Sequence, residues 1–267
     1  MIENMNNNKL YNLIHKIMNQ LLDEILNSIK TTVLDNSVGV AFSGGVDSTL
    51  IAKLLDDNGY DIHLLTIGFP DSHDINFAKE VNEILKFKHN ILEIELESFQ
   101  ETSEKVNDII KTDNLSWNEN SIAFYYVSKL AKKLGISTVV TANGIDELFC
   151  GYNSYREAIS ISENEVQKMM DLKLKNEKDM MIAVNNVSSE FGVTIVQPLL
   201  TDSFIDFAKT IPISKKIHGA DDLLRKHVIR ELAIECNVPK ISAYKQKKAL
   251  QYGTQIHKSL LKSRKTS

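Results

Sequence analysis

Features that would restrict the function strongly are missing from this sequence of 267 residues. No apolar run approaches the roughly 20 residues that a membrane-spanning helix needs. The start, MIENMNNNKL, has no basic segment leading into an apolar one, so no secretory signal is visible. Two cysteines, Cys150 and Cys236, make neither a disulfide framework nor a metal knuckle. These absences favour a globular protein with no membrane partner, and the expected location is the cytoplasm.

Glycine and proline are scarce as well, at 11 and four residues, and no stretch of them marks a linker. The hydrophobic content of 43% suffices for one large core or two smaller ones. The net charge of −4 is unevenly distributed, because residues 215–267 carry 13 lysines and arginines against four acidic residues. Such a basic end suits a solvated surface, a phosphate site or a contact with RNA, and charge alone favours the solvated surface.

Hydrophobic periodicity alternates along the first half of the chain. Short apolar runs predict strands, and helical spacing predicts helices between them. The predicted strands are 38–42, 62–67, 91–94 and 137–141, and the predicted helices include one ending at Asn58-Gly59, one around 75–85, and the segments 97–111 and 120–134. This alternation predicts an α/β fold, with a parallel sheet of about five strands and helices on both faces.

The remaining segments predict helices. An amphipathic pattern precedes the first strand, and later runs lie near 164–175, 178–190, 202–209 and 221–236. We therefore expect three parts: an N-terminal helix within residues 1–36, an α/β core over 37–152, and a mainly helical portion over 153–267. The helical portion should pack on the core, since no linker separates them, and it ends in the basic segment.

The segment from Ser43 to Ser48, SGGVDS, lies between a predicted strand and a predicted helix. At such a junction the first amide groups of the helix lack partners, and Gly44 and Gly45 allow phosphate oxygens close to the backbone. A carboxylate beside a polyphosphate is repulsive unless a cation neutralises both, so Asp47 predicts Mg²⁺. The alternative is an ordinary turn with a helix cap.

Two carboxylates, Asp146 and Glu147, follow the fourth predicted strand. If that strand neighbours the first one, Asp146 faces Asp47 across one crevice, and two carboxylates around a triphosphate suit Mg²⁺. The alternative is a helix whose N-terminus is stabilised by acidic side chains.

Four segments resemble, in order, the synthetase domain of the asparagine synthetases and of their relatives, the β-lactam and carbapenam synthetases. The segments are SGGVDST, GIDELFCGY, PLLTD followed by Phe204 and Phe207, and KQKK, and they span roughly residues 38–252. The resemblance implies the ATP pyrophosphatase (PP-loop) superfamily, with the adenine nucleotide alpha hydrolase type of fold. It also implies an amide ligase: a small-molecule carboxylate attacks the α-phosphorus of ATP, pyrophosphate leaves with Mg²⁺, and ammonia or an amine attacks the acyl-adenylate.

The resemblance further implies a role for each matching residue. Asp47 and Asp146 would bind Mg²⁺, and Ile67 would contact adenine. Lys247, or Lys248 if the match shifts by one residue, would stabilise charge on the α-phosphate. The remaining nucleotide-binding positions would be Ser43, Gly44, Gly45, Asp47, Ser48 and Gly144.

Departures from the family pattern concern the nucleophile. Asparagine synthetases carry an N-terminal glutaminase domain that this sequence does not show, so free ammonia, another amine or a separate glutaminase subunit is the expected donor. Asn143 stands where asparagine synthetases have glutamate and the lactam-forming relatives have tyrosine. A neutral amide is no general base, so we expect Glu119, Glu147 or an already deprotonated nucleophile instead.

Cys150 stands where the family usually has glycine. A small packing residue is the favoured interpretation, and the alternative is sulfur chemistry of the kind that RNA-thiolating ATP pyrophosphatases perform. Two further functions therefore stay open, an RNA-modifying enzyme and a non-catalytic nucleotide-binding subunit. The residues that choose the carboxylate are expected within segments 116–124 and 152–156.

Overall fold

The structure is a computed structural model that describes the backbone of residues 2–266 and the side chains of residues 15–262. Within that range five strands form one sheet in the order β3-β2-β1-β4-β5, and each neighbouring pair is parallel. The strands are β1 (Ser37–Ala41), β2 (Asp61–Gly68), β3 (Lys88–Glu93), β4 (Thr138–Val140) and β5 (Thr194–Val196). The predicted five-stranded parallel sheet is confirmed.

Helices connect the strands and make up most of the C-terminal half. They are α1 (Ile2–Thr32), α2 (Val46–Asp57), α3 (His73–Leu85), α4 (Leu96–Ile110), α5 (Leu115–Lys133), α6 (Ile145–Leu148), α7 (Ser154–Ile161), α8 (Glu163–Ser189), α9 (Asp202–Thr210), α10 (His227–Glu235), α11 (Lys240–Ala243), α12 (Leu250–Gly253) and α13 (Ile256–Thr266). Two short 3₁₀ turns, Pro198–Leu200 and Ile213–Lys215, flank α9.

Two hydrophobic cores cover the two faces of the sheet. Alternate residues of a strand face opposite sides, so Leu64 of β2 lies in one core and Leu65 in the other. The first core also holds α1, α2, α9 and α10, whereas the second holds α4, α5, α8 and α13. The helical half therefore packs against both faces, and the sheet takes its fifth strand from beyond residue 152.

The N-terminal helix contributes Met18, Leu21, Ile25 and Ile29 to the first core. It contacts α9, α10 and the turn Pro198–Leu200. Apolar residues before residue 15, which also belong to the predicted amphipathic pattern, lie outside the described side chains. Across the described residues, no helix combines the length and the apolar composition that a membrane crossing requires.

Some element boundaries differ from the predicted ones. The runs 164–175 and 178–190 form the single helix α8, since no glycine or proline separates them. The predicted helix 221–236 begins only at His227, because Arg225 and Lys226 adopt the left-handed conformation, which cannot continue a right-handed helix. The hydrophobic pattern predicts no strand at β5, whose three residues lie between two predicted helices.

Candidate active site

A cleft opens at the carboxyl ends of β1 and β4, with a water-accessible volume of about 340 Å³. β1 and β4 are neighbours, but the chain continues from β1 to β2 on one side and from β4 to β5 on the other. Such a switch point leaves a crevice in which α/β proteins bind ligands. Its walls come from the loops after β1 and β4, from α3, α5 and α8, and from residues 245–251.

The loop after β1 forms the floor of the cleft. Gly44 has φ of +75° and lies so close to Phe77 that a β-carbon there would be crowded, which explains the glycine. Ser48 Oγ donates to the carbonyl of Gly45 at 3.3 Å, and Ser242 Oγ donates to the carbonyl of Gly44 at 2.7 Å. A residue of α11 thus braces the glycine loop from behind.

Asp47 and Asp146 meet at the centre of the cleft through one buried lysine. Lys226 Nζ lies 2.5 Å from Asp47 Oδ2 and 2.6 Å from Asp146 Oδ1. Lys247 reaches the same site and forms an ion pair with Asp146 Oδ2. The structure therefore brings together three residues that the sequence analysis assigned, Asp47, Asp146 and Lys247, and adds Lys226 to them.

The charges in this group explain its ionisation. Burial alone would raise the pKa of Asp146, but the ammonium groups of Lys226 and Lys247 outweigh it and hold that pKa well below its usual range. Asp146 and Asp47 in turn raise the pKa of Lys247 against the effect of burial. Asp146 and Lys247 are consequently both charged near neutral pH.

The donor atoms fit a magnesium ion. Asp47 Oδ1 is buried, and it accepts no hydrogen bond from any side chain or backbone group that the structure describes. An unpartnered carboxylate oxygen beside a second carboxylate is the kind of ligand that Mg²⁺ prefers. The ammonium of Lys226 supplies positive charge between the two carboxylates.

Lys226 is a candidate site residue that the sequence analysis does not identify. It is 1% exposed and has φ of +55°, and Arg225 before it has φ of +52°. Arg225 donates to the carbonyl of Gly151 from Nε at 3.2 Å and from Nη2 at 3.1 Å. These contacts fix the turn that aims Lys226 at the carboxylates, and no local sequence signal distinguishes it from the other lysines of the basic end.

A second set of polar side chains surrounds Asn143. The side chain of Asn143 donates from Nδ2 to Glu177 Oε1 at 2.5 Å. Nearby, Glu147 accepts from the hydroxyl of Tyr152 at 2.5 Å and from the backbone N–H of Gly144 at 3.1 Å. Burial, reinforced by the negative charge of Glu147, raises the pKa of Glu177 to about 8. Glu177 on α8 was not among the predicted site residues.

The two alternative bases, Glu147 and Glu119, lie in different surroundings. Glu147 lines the cleft, but both of its carboxylate oxygens already accept hydrogen bonds. Glu119 is paired with His257 Nδ1 at 2.5 Å and is absent from the lining of the cleft. Glu177 is therefore the carboxylate in direct contact with the Asn143 position.

Most of the other residues assigned from the sequence line the cleft, and Gly144 packs behind it. Ser43, Gly45, Ser48 and Ile67 line the cleft, as does Lys248. Lys248 is exposed at the rim, whereas Lys247 reaches the centre. The structure gives Gly144 a packing role, because a β-carbon there would lie 2.7 Å from the carbonyl oxygen of Leu199.

Cys150 packs below the cleft. It is fully buried, and burial raises the pKa of its thiol to about 12. A thiol of such high pKa supplies very little thiolate at neutral pH. Its backbone has φ of +61°, a conformation that favours glycine. These observations favour the packing interpretation over sulfur chemistry.

Gly151 makes the close approach of Asp146 and Lys226 possible. A β-carbon at this position would lie 1.8 Å from Asp146 Oδ1 and 2.7 Å from Lys226 Cε. We expect Gly151→Ala to displace the carboxylate of Asp146 and to weaken Mg²⁺ binding between Asp47 and Asp146 by roughly tenfold or more. Calorimetric titration of Mg²⁺ into the variant and into the unchanged protein checks this expectation.

Gly59→Ala is the control for general destabilisation. Gly59 has φ of +85°, and a β-carbon there would meet no described atom within 4 Å, so alanine should cost about 1 kcal/mol of stability without touching the cleft. An unchanged Mg²⁺ affinity in Gly151→Ala would contradict the placement of the carboxylate.

The fold and the site together define a nucleotide-binding α/β protein, with a glycine loop after its first strand and paired carboxylates at the end of the neighbouring strand. The model of the asparagine synthase family matches residues 20–181, more than half of the chain. The chain therefore belongs to the asparagine synthase family, which confirms the resemblance that the four sequence segments indicate.

Curated relatives include glutamine-hydrolysing asparagine synthetases. That of Asparagus officinalis is 28% identical over 239 residues, covering 84% of this chain and 40% of the relative. Asparagine synthetase B of Escherichia coli is 27% identical over 256 residues, covering 88% and 45%. The chain thus spans less than half the length of these relatives.

Two synthetases are among the solved structures that are similar to this chain. NMN synthetase from Francisella tularensis is 16% identical with a TM-score of 0.48, covering 88% of this chain and 75% of its own. The NH3-dependent NAD synthetase from Campylobacter jejuni is 19% identical with a TM-score of 0.37, covering 76% and 93%.

Proposed function

We propose that this protein is an ATP-dependent amide ligase that forms AMP and pyrophosphate. It adenylates a small-molecule carboxylate and passes the acyl group to ammonia or an amine. The observation that carries the proposal is the convergence of Asp47, Asp146, Lys226 and Lys247 beside the glycine loop. Membership of the asparagine synthase family supports the same class of reaction.

Each group in the cleft has a distinct task in this reaction. Asp47 and Asp146 would hold Mg²⁺, which when bound neutralises the leaving pyrophosphate. The loop from Ser43 to Ser48 binds the pyrophosphate through its backbone amides. Lys226, released from between the carboxylates, donates to phosphate oxygens, and Lys247 stabilises the charge that grows on the α-phosphate.

We assign Glu177 as the general base in the capture step, in which ammonia or an amine attacks the acyl-adenylate. Its carboxylate contacts Asn143, the position from which the expected general base is missing. A carboxyl group with a raised pKa is matched to proton transfer near neutral pH. Asn143 then orients the base rather than replacing it.

The test is ATP:pyrophosphate exchange on the full chain with a panel of small carboxylates. The proposal predicts exchange that depends on one class of carboxylate, and AMP formation that also needs ammonia or an amine. Pyrophosphate release that depends on RNA instead would favour an RNA-modifying enzyme. Tight ATP binding without cleavage for any carboxylate would favour a non-catalytic nucleotide-binding subunit. Either result would overturn the proposal.

Glu177→Gln separates adenylation from capture. We expect exchange to persist, while amide formation falls about 100-fold and no longer rises with pH through about 8, the pKa of Glu177. Measuring both rates from pH 6 to pH 9 checks this. Glu190→Gln, at the exposed end of the same helix, should behave as the unchanged protein, and a wild-type pH profile in Glu177→Gln would rule out the assignment.

The same substitution has a consequence for stability. The pKa of Glu177 is raised from 4.5 to about 8 in the folded state, so its contribution to stability is complete below pH 4.5 and disappears as the pH rises through 8. Glutamine does not ionise. The variant should therefore lose less thermal stability than the unchanged protein between pH 5 and pH 9, as scanning calorimetry would show.

A further inference from the structure

His218, Asp222 and His227 form a compact cluster outside the cleft. His227 Nε2 lies 2.6 Å from Asp222 Oδ2, and the backbone N–H of His218 donates to the same oxygen at 2.9 Å. The two imidazole rings are parallel, with their centroids 3.5 Å apart. One ligand atom from each of the three side chains lies within 4.8 Å of the other two.

The ligand chemistry of the cluster suits a transition metal. Asp222 accepts hydrogen bonds from the backbone N–H groups of His218 and Arg225, which hold its carboxylate group in a fixed orientation. Two imidazole nitrogens and one carboxylate oxygen favour Zn²⁺, Ni²⁺ or Cu²⁺ over Mg²⁺, which prefers oxygen ligands.

Metal binding requires one small rearrangement. The lone pairs of two parallel rings do not converge, so one ring has to tilt. His218 is exposed, and its bond to Asp222 comes from the backbone, so its ring can turn without breaking that bond. The metal then lies between His227 Nε2 and Asp222 Oδ2, and the imidazole of His227 binds it in the tautomer that carries its hydrogen on Nδ1, so no proton has to be released from a neutral ring.

We propose that His218, Asp222 and His227 form a three-ligand site for a divalent transition metal, distinct from the carboxylate pair in the cleft. The site lies in the turn that presents Lys226. Asp222 Oδ1 accepts from the backbone N–H groups of Leu224 at 3.0 Å and Arg225 at 2.9 Å, so the same carboxylate shapes the turn and binds the metal. Occupancy therefore stiffens the segment that positions Lys226.

Zn²⁺ titration of the full chain tests the proposal. Calorimetry in millimolar Mg²⁺, which competes for the cleft carboxylates, should show one Zn²⁺ per chain. Co²⁺ bound in its place should give visible absorption characteristic of imidazole ligands. We expect His218→Ala to weaken binding by roughly tenfold or more.

His63→Ala is the matched control, because His63 Nε2 lies 3.8 Å from Asp61 Oδ2 and so belongs to a histidine–aspartate pair elsewhere, on β2. It should bind Zn²⁺ as the unchanged protein does. Absence of saturable Zn²⁺ binding would overturn the proposal, as would equal affinity in His218→Ala. Loss of binding in Asp47→Asn but not in His218→Ala would place the metal in the cleft and overturn it as well.

Discussion

Replacement of Asp47 by asparagine is expected to abolish Mg²⁺-dependent cleavage of ATP while leaving the fold intact. Asparagine has almost the same shape, and Lys226 keeps its second carboxylate partner, Asp146. The neutral amide cannot supply the negative charge that holds Mg²⁺ beside the pyrophosphate. Pyrophosphate release at increasing Mg²⁺ concentration measures the loss, and the thermal midpoint measures the fold.

Asp57→Asn provides the comparison on the same helix. Asp57 lies at the opposite end of α2 from the glycine loop and is paired with Lys53 at the surface. Exposed pairs of this kind contribute about 1 kcal/mol or less, so activity should be unchanged. If Asp47→Asn cleaves ATP as fast as the unchanged protein does, Asp47 is not a Mg²⁺ ligand.

Lys247→Ala is expected to lower the rate of adenylation by about two orders of magnitude or more. The lysine is held at the centre of the cleft by Asp146, and a compact ammonium group suits the growing charge on phosphate oxygens. ATP binding should be affected less than the rate, because the glycine loop and Lys226 remain. Single-turnover AMP formation, with ATP affinity measured separately, distinguishes the two effects.

Lys248→Ala is the neighbouring control. Its side chain lies at the exposed rim, so we expect a small effect. A large loss in Lys248→Ala with a mild one in Lys247→Ala would shift the assignment by one residue.

The fold could be predicted because its signals are local. Apolar runs locate β1 to β4 within a few residues, and the alternation with helices predicts the parallel sheet. What could not be predicted depends on distant contacts. The three-residue strand β5 exists because it pairs with β4, and the late start of α10 follows a turn in which Arg225 is bonded to the distant carbonyl of Gly151.

The site residues also divide into those with a local sequence signal and those placed by distant contacts. The glycine loop and the Asp146 segment stand out because their residues are adjacent in sequence. Lys226 meets Asp47 across 179 positions, and Glu177 meets Asn143 across 34. No periodicity marks either residue, since their importance comes from burial next to charges that only the folded chain brings together.

Because a chain is synthesised from its N-terminus, the residues that make these long-range contacts leave the ribosome at different times. The glycine loop leaves the ribosome well before Lys226, Ser242 and Lys247, which the structure places against it or against its partner Asp146. Until those residues arrive, two neighbouring carboxylates lack their counter-charges, and the loop lacks its brace. A nascent or prematurely terminated chain therefore has an incomplete cleft, and we expect the proposed cleavage of ATP to begin only once translation has passed the last of these lysines.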